Sequence, residues 1–134
     1  MGIEENKSIV RKINNGELDL VEYLAEDAVW TLPGLKSFHG KQEIIQELFM
    51  PYINLMESTG RAVIKNIIAE DDQVVVETIA EDRITKKGKR YNNTYCMIYK
   101  FANEKIVHIS EYSDTALARE ALPELVSKFV IKGI

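Results

Sequence analysis

A chain of 134 residues with 46% hydrophobic and 28% charged residues has the composition of an ordinary globular domain, which excludes a disordered or a membrane-embedded protein. The formal net charge of -4 disfavours a nucleic-acid surface, because the short basic segment at residues 86–90 is offset by acidic neighbours. The length predicts one domain over residues 1–134, with a core that needs neither a disulfide nor a structural metal.

The single cysteine and the N-terminus both bear on the compartment. Cys96 lies within a strand pattern, so we expect a small buried residue and no internal disulfide. The N-terminus lacks a basic start followed by an apolar run, and no segment reaches the length of a membrane span. These features predict a cytoplasmic protein.

The N-terminal part of the chain shows two helical patterns and then a strand. Apolar residues recur at helical spacing over residues 3–14, and Asn14-Asn15-Gly16 ends that helix. A second short helix is predicted over residues 17–25. The run Ala28-Val29-Trp30-Thr31-Leu32 then predicts the first strand.

A loop and a third helix follow this strand. Pro33-Gly34 stops the strand, and residues 35–40 are predicted to form a loop. From Lys41 onward apolar residues recur every three or four positions, which predicts a helix that ends or kinks near Pro51.

The second half of the chain predicts four consecutive antiparallel strands. Residues 62–69 and 74–84 are strand-like, and a polar segment at residues 86–89 turns the chain into the next strand. The stretch 91–114 reads as two long strands joined by a reversal at residues 102–105.

A helical segment closes the chain. Asp114 or Thr115 is the expected cap of a short helix over residues 116–122. Pro123 then opens an amphipathic tail. The apolar residues of this tail are Leu125, Val126, Phe129 and Val130.

The separation of helices from strands is typical of the α+β class. A long curved antiparallel sheet with the N-terminal helices packed against one face would enclose an apolar cavity. Such cavities are common small-molecule sites.

Three stretches, together with this order of elements, resemble a known superfamily. They are Val29-Trp30, the loop from Pro33-Gly34 to Phe38-His39-Gly40, and the ending from Lys105-Ile106 to Glu111-Tyr112-Ser113-Asp114. They resemble the nuclear transport factor 2-like superfamily, and within it the SnoaL-like and ketosteroid-isomerase-like branch. The resemblance covers nearly the whole chain and implies a cone-shaped half-barrel and a homodimer. Because members include isomerases, cyclases, dehydratases, epoxide hydrolases and pure binding domains, it implies a fold more firmly than an activity.

The catalytic residues of two enzyme groups in this superfamily are absent from this chain. Limonene epoxide hydrolases carry an Arg and an Asp where this chain has Thr78 and Ala80, and ketosteroid isomerases carry their Asp base where it has Leu32. A carboxylate is kept at Glu111, where the hydrolases have Asp and phenazine-pathway proteins have Glu. The resemblance therefore points to Glu111 and away from epoxide or steroid chemistry.

Glu111 is the first catalytic candidate. Strand alternation puts it on one face with Val107, Ile109 and Ser113, and the resemblance turns that face inward. A carboxyl among apolar side chains is desolvated, which raises its pKa and lets it donate or accept a proton near neutrality. The alternative is a structural carboxylate that pairs with a Tyr or an Arg and orders the sheet.

Three other residues are catalytic candidates. Tyr95 would hydrogen-bond a ligand oxygen or orient Glu111, and Asp82 would point toward the cavity mouth. His39, in the loop before the third helix, would reach the rim as an acid or a base. The plainer alternatives are a core aromatic for Tyr95 and solvent-exposed side chains for Asp82 and His39.

The expected ligand-contacting residues lie on the inward strand faces or on the apolar side of the third helix. They are Asn93, Met97, Trp30, Phe49, Ile109 and Ser113. The same spacing also fits plain core packing. No side chains show metal-ligand spacing and no glycine-rich phosphate loop occurs, so we expect neither a metal nor a cofactor.

The sequence thus predicts a cofactor-independent enzyme that moves a proton on a small apolar ring or carbonyl compound, as isomerases, cyclases and dehydratases do. The alternative is a non-catalytic ligand-binding or accessory domain that dimerises through the convex face of the sheet. A second titratable group within reach of Glu111 would favour the enzyme, and a pocket with only Glu111 and Tyr95 would favour binding. A collapsed core would leave no cavity at all.

Overall fold

The computed structural model describes residues 2–129, in which two helices, two strands and a helical stretch lead to Leu55, and four long strands and two short helices follow. The helices are α1 (Ile3–Asn14), α2 (Leu20–Tyr23), α3 (Lys41–Glu43), α4 (Met50–Leu55), α5 (Thr115–Ala121) and α6 (Pro123–Val126), and a π-helical segment (Ile44–Phe49) joins α3 to α4. The strands are β1 (Leu24–Leu32), β2 (Lys36–His39), β3 (Met56–Glu70), β4 (Gln73–Thr85), β5 (Thr94–Ala102) and β6 (Lys105–Ser113). The predicted α+β class is confirmed.

All six strands belong to one open sheet in the order β2-β1-β6-β5-β4-β3. Strands β3 to β6 are consecutive antiparallel neighbours, as predicted. Strand β1 lies parallel to β6 and antiparallel to β2, and it places Trp30 beside Ile109. This parallel pairing joins segments about eighty residues apart, and a pairing between such distant segments leaves no local pattern in the sequence.

The N-terminal half departs from the prediction at several element boundaries. Residues 36–39, expected in a loop, form β2 because they pair with β1. Strand β1 already begins at Leu24, which shortens the second helix. Of the two alternatives predicted near Pro51, a helix end or a kink, the end is wrong, since the chain stays helical to Leu55. Pro51 is accommodated in the first turn of α4, directly after the π-helical segment.

Irregular strand pairing curves the sheet. The register shifts twice between β3 and β4, once between β5 and β6, and once between β1 and β6. Such shifts bend a strand and increase its twist. The curvature leaves room on the inner face, where α1 packs against β3 and β4.

A second distortion of the sheet lies between β3 and β4. Gly60 on β3 has φ of 56° and Asp82 on β4 has φ of 57°, both in the left-handed region. A Cβ atom at position 60 would overlap the main-chain carbonyl oxygen of Glu81, so only glycine fits there.

The left-handed residue changes the alternation of β4. Ala80 is buried on the inner face, and regular alternation would turn Asp82 inward as well. Instead Asp82 is exposed, whereas Arg83 and the buried Thr85 take the inner face after it. The predicted inward orientation of Asp82 is therefore wrong, because the backbone rotates at that residue.

The C-terminal segment closes the inner face. Asp114 caps α5 as expected, since its Oδ1 accepts hydrogen bonds from the amides of Ala116 (3.0 Å) and Leu117 (3.1 Å). The predicted tail residues Leu125, Val126 and Phe129 are buried, and Val130 lies outside the described residues. No helix between residues 2 and 129 is long and apolar enough to span a membrane.

Candidate functional site

A cavity of about 370 Å³ lies between the inner face of the sheet and the helices that cover it. This volume falls in the range of small-molecule sites, about 300–1,000 Å³. Most of the wall is apolar, with contributions from α1, α2, the stretch at residues 44–55 and the C-terminal helices. The cavity that the sequence predicts is present, and the alternative of a collapsed core is excluded.

Glu111 lies in the wall of this cavity. It sits on β6 directly opposite Met97 on β5, and its side chain follows the inward face of the strand. Its Oε1 accepts a hydrogen bond from the indole Nε1–H of Trp30 at 3.1 Å. Within residues 2–129 no other side chain or amide is hydrogen-bonded to this carboxyl.

The surroundings of Glu111 favour its protonated form. Burial raises the pKa of Glu111 from its ordinary value of 4.5 to about 7, because an ionised carboxylate loses its hydration there. The hydrogen bond from Trp30 and the positive charge of Arg83 lower the pKa but do not cancel the effect of burial. Near neutral pH the carboxyl is therefore present in both its acid and its base form.

Arg83 is a site residue that strand alternation misses. It reaches the cavity because of the backbone rotation at Asp82, and it is only partly exposed. Its Nη1 donates to the hydroxyl of Tyr95 at 3.0 Å, and its Nε donates to the carbonyl oxygen of Thr59 at 2.9 Å. A glycine inside a strand often marks an irregular backbone, and Gly60 lies inside β3. Because the strand pattern in the sequence begins only at residue 62, Gly60 carries no such signal there.

Four tyrosines add hydroxyl groups to the cavity wall. Burial raises the pKa of each of them, namely Tyr52, Tyr91, Tyr95 and Tyr99. All four hydroxyls therefore stay protonated at neutral pH and can donate a hydrogen bond.

Six of the residues expected at the site line the cavity. They are Glu111, Tyr95, Met97, Trp30, Phe49 and Ser113. The rings of Trp30 and Phe49 meet edge to face with centroids 5.2 Å apart, which orients the indole. The strand register places Tyr95 opposite Ser113, one inward position from Glu111.

Two of the expected catalytic residues lie away from the cavity. Asp82 is exposed, and its Oδ2 lies 3.6 Å from Nη1 of Arg61. His39 is exposed at the end of β2, and its backbone N–H donates to the carboxylate of Glu43. The structure brings neither residue near Glu111.

Two of the expected binding residues are buried in the core instead. Asn93 is fully buried, and its Nδ2 donates to the hydroxyl of Tyr91 (3.2 Å) and to the carbonyl oxygen of Asp114 (3.0 Å). Ile109 is 1% exposed and packs beside Trp30 in the sheet. Neither residue lines the cavity. In the described part of the chain, no three His, Cys, Asp or Glu side chains are grouped to hold a metal ion.

Comparison with protein families identifies the group to which this fold belongs. The sequence model of the SnoaL-like domain matches residues 9–109. No curated protein matches the chain. The match covers most of the chain and includes the first strand and most of β6.

Solved structures share the fold. An NTF2-like protein of unknown function from Cytophaga hutchinsonii is 23% identical, with a TM-score of 0.64 over 84% of this chain and 100% of its own. A protein from Bacillus subtilis, provisionally named an isomerase, is 19% identical, with a TM-score of 0.71 over 92% and 96%. A Jannaschia protein, provisionally named a SnoaL-like polyketide cyclase, is 13% identical, with a TM-score of 0.69 over 90% and 92%. These identities show a common fold and not a common activity.

The pKa of Glu111 predicts a pH-dependent stability. The folded state binds this proton more tightly than the unfolded chain, so the free energy of unfolding should fall as pH rises from 4.5 to about 7. A glutamine at this position does not titrate, so the Glu111→Gln variant should not lose stability in this way as pH rises. The variant should therefore be more stable than the parent at pH 8, by at most about 3 kcal/mol, and this advantage should vanish below pH 4.5.

Urea denaturation of both proteins at pH 4.5 and pH 8 measures this difference. The matched control is Glu104→Gln, which removes an exposed carboxyl from the turn between β5 and β6, away from the cavity, and should not give the gain. A Glu111→Gln variant no more stable than the parent at pH 8 would contradict the assignment.

Proposed function

The chain belongs to the SnoaL-like family of the nuclear transport factor 2-like superfamily, and from this we propose that it is an enzyme using Glu111 for general acid–base proton transfer on a small, largely apolar molecule. The reaction is of the isomerase, cyclase or dehydratase type. The observation that carries the proposal is a single carboxyl with a pKa of about 7 in the wall of an apolar cavity. A pKa close to the working pH is the most effective for proton transfer.

The surroundings of Glu111 fit this role. The indole of Trp30 fixes one carboxyl oxygen, so that the other oxygen is left for a ligand. Tyr95, held by Arg83, offers its hydroxyl to a carbonyl oxygen of the substrate. Apolar walls exclude water, which strengthens both interactions.

Two structural neighbours support the choice of reaction class. One is provisionally named an isomerase and another a polyketide cyclase. Keto–enol isomerisation and aldol-type cyclisation, two reactions of these classes, proceed by proton transfer next to a carbonyl group, which is the chemistry that a carboxyl of this pKa supports.

A non-catalytic binding domain is the second candidate. It is favoured by the positions of Asp82 and His39, because neither of these expected acid–base partners lines the cavity. Glu111 is then the one carboxyl in the wall among the described residues. A binding domain would hold ligands in the same cavity without turning them over.

The enzyme proposal predicts a large effect of Glu111→Gln. We expect catalysed exchange of solvent deuterium into the carbons next to the carbonyl of at least one compound in a panel of cyclic ketones and enones, followed by NMR. General acid–base catalysis supplies about 10²- to 10⁴-fold, so the variant should lose that factor in rate.

Glu104→Gln, which leaves the cavity intact, should keep the parental rate and serves as the control. Equal exchange rates for the parent and Glu111→Gln would remove Glu111 from the mechanism. Compounds that bind the parent without any exchange above the buffer rate would favour the binding domain.

We also propose a homodimer formed through the outer, convex face of the sheet. Ile68 (57% exposed) and Tyr112 (48% exposed) are large exposed residues on this face, and Ile98 lies partly buried between them. Cys96, expected in the core, is also only partly buried here, opposite Tyr112. Exposed apolar residues of this kind mark interaction surfaces, and in a two-fold dimer this face would pack against its own copy. A cytoplasmic location stays a prediction.

Ile98→Glu tests the dimer, because it places a charge in the centre of this face without touching the cavity. Sedimentation equilibrium should give twice the 15.3 kDa chain mass for the parent and the chain mass for the variant. A monomeric parent at high micromolar concentration would contradict the proposal.

A further inference from the structure

We propose that the cavity is built for an anionic ligand, a small apolar or aromatic molecule carrying one carboxylate that Arg83 and Tyr52 bind. The inference rests on the proposed function in one respect, that this cavity is the ligand site, and it adds the chemical class of the ligand. It holds whether the ligand is turned over or only bound.

The charge of Arg83 has no acidic partner in the described part of the chain. Its two hydrogen bonds go to neutral acceptors, the carbonyl oxygen of Thr59 and the hydroxyl of Tyr95. None of the ion pairs within 4.0 Å includes it. By contrast the exposed Arg61 of the same hairpin contacts Glu81 at 2.7 Å and Asp82 at 3.6 Å.

An unpaired charge in an apolar wall is unfavourable until it meets an anion. Glu111 acts on Arg83 only at a distance, and its raised pKa keeps much of it neutral near pH 7. An incoming carboxylate would supply the missing countercharge.

The guanidinium of Arg83 has donors left for this anion. A guanidinium carries five N–H groups in a planar fork. One N–H of Nη1 and the N–H of Nε are used within the chain, whereas Nη2 donates to no residue between 2 and 129. The remaining N–H groups match the two oxygens of a carboxylate better than a neutral carbonyl.

Tyr52 supplies a second, independent observation. Its hydroxyl is buried in the cavity wall and has no hydrogen-bond partner among the described residues. Burial raises the pKa of Tyr52, whereas the charge of Arg83 and a weak contact from its guanidinium, outside hydrogen-bond geometry, lower it. The Tyr52 hydroxyl and the guanidinium of Arg83 therefore lie close together. A buried hydroxyl without a partner is costly, and a ligand oxygen near Arg83 would accept its hydrogen bond.

The remainder of the wall fits the apolar part of the ligand. Trp30, Phe49, Leu48 and Met97 are among the apolar side chains that line the cavity. A carboxylate held at Arg83 leaves the ring system to lie against these side chains and beside Glu111. The ligand anion would raise the pKa of Glu111 by repulsion, so binding should take up a proton.

Isothermal titration calorimetry with 2-naphthoate and its neutral analogue 2-naphthamide tests the inference. The parent should bind 2-naphthoate at least about tenfold more tightly than the amide, as expected for charge-assisted hydrogen bonds. Arg83→Gln should lose on the order of 10- to 100-fold for the naphthoate and little for the amide. Arg61→Gln, which removes a positive charge outside the cavity, should bind both probes as the parent does.

Tyr52→Phe gives a second test in case Arg83→Gln fails to fold. The lost hydroxyl has no partner within residues 2–129, so the variant should be as stable as the parent. Its affinity for 2-naphthoate should fall by about tenfold.

The pH dependence adds a further readout. The cavity groups that face Glu111 are Trp30, Arg83, Met97 and the tyrosines Tyr52, Tyr91, Tyr95 and Tyr99. The raised pKa values of the tyrosines leave Glu111 to titrate near pH 7. Affinity for 2-naphthoate should therefore rise as pH falls from about 8 to about 6, and Glu111→Gln should abolish this dependence.

Equal affinity of the parent for the two probes, or unchanged naphthoate binding in Arg83→Gln and Tyr52→Phe, would overturn the inference. Either result leaves the proton-transfer proposal standing if Glu111→Gln still loses exchange activity. Conversely, a strong preference for naphthoate without any catalysed exchange would support the anion site and contradict the proposal that the protein is an enzyme.

Discussion

The hydrogen bond from the Trp30 indole to Glu111 depends on the parallel pairing of β1 with β6, and the position of the carboxyl in the cavity wall depends on that bond. Trp30 enters the cavity wall only because β1 lies beside β6. Phe49, from the helical stretch after β2, holds the indole edge to face. One N–H donor fixes the position of the carboxyl without restoring the hydration that burial removes, so the pKa stays high.

The left-handed backbone conformation of Gly60 and Asp82 determines which charged side chain of β4 lines the cavity. Regular alternation along β4 would bury an acid at position 82 and expose a base at position 83. The rotation of the backbone reverses this, so that Asp82 pairs with Arg61 in solvent and Arg83 lines the cavity. The wall thus carries a fixed positive group at one place and a titratable carboxyl at another, which gives a bound molecule a defined orientation.

The sequence predicts the local features of this molecule better than the long-range ones. Strand alternation, together with the family resemblance that indicated which face is inward, placed Glu111 and Tyr95 correctly, because β5 and β6 keep a period of two at those positions. The inward and outward orientations of Asp82 and Arg83 are the reverse of those that alternation predicts, because the positive φ of Asp82 breaks the period. No pattern of hydrophobicity in the sequence indicates this positive φ. The pairing that brings Trp30 to Glu111 and the unpartnered hydroxyl of Tyr52 follow from tertiary contacts alone.

A titration of the Glu111 side-chain carboxyl carbon by NMR, with Glu111→Gln to assign its signal, tests the central claim most directly. It needs neither a substrate nor a ligand. The cavity environment predicts a pKa of about 7, and a still higher value in Trp30→Phe, where the hydrogen bond to the carboxyl is lost. A pKa at or below the ordinary 4.5 would mean that the carboxyl is hydrated or ion-paired, and would contradict a desolvated acid–base group.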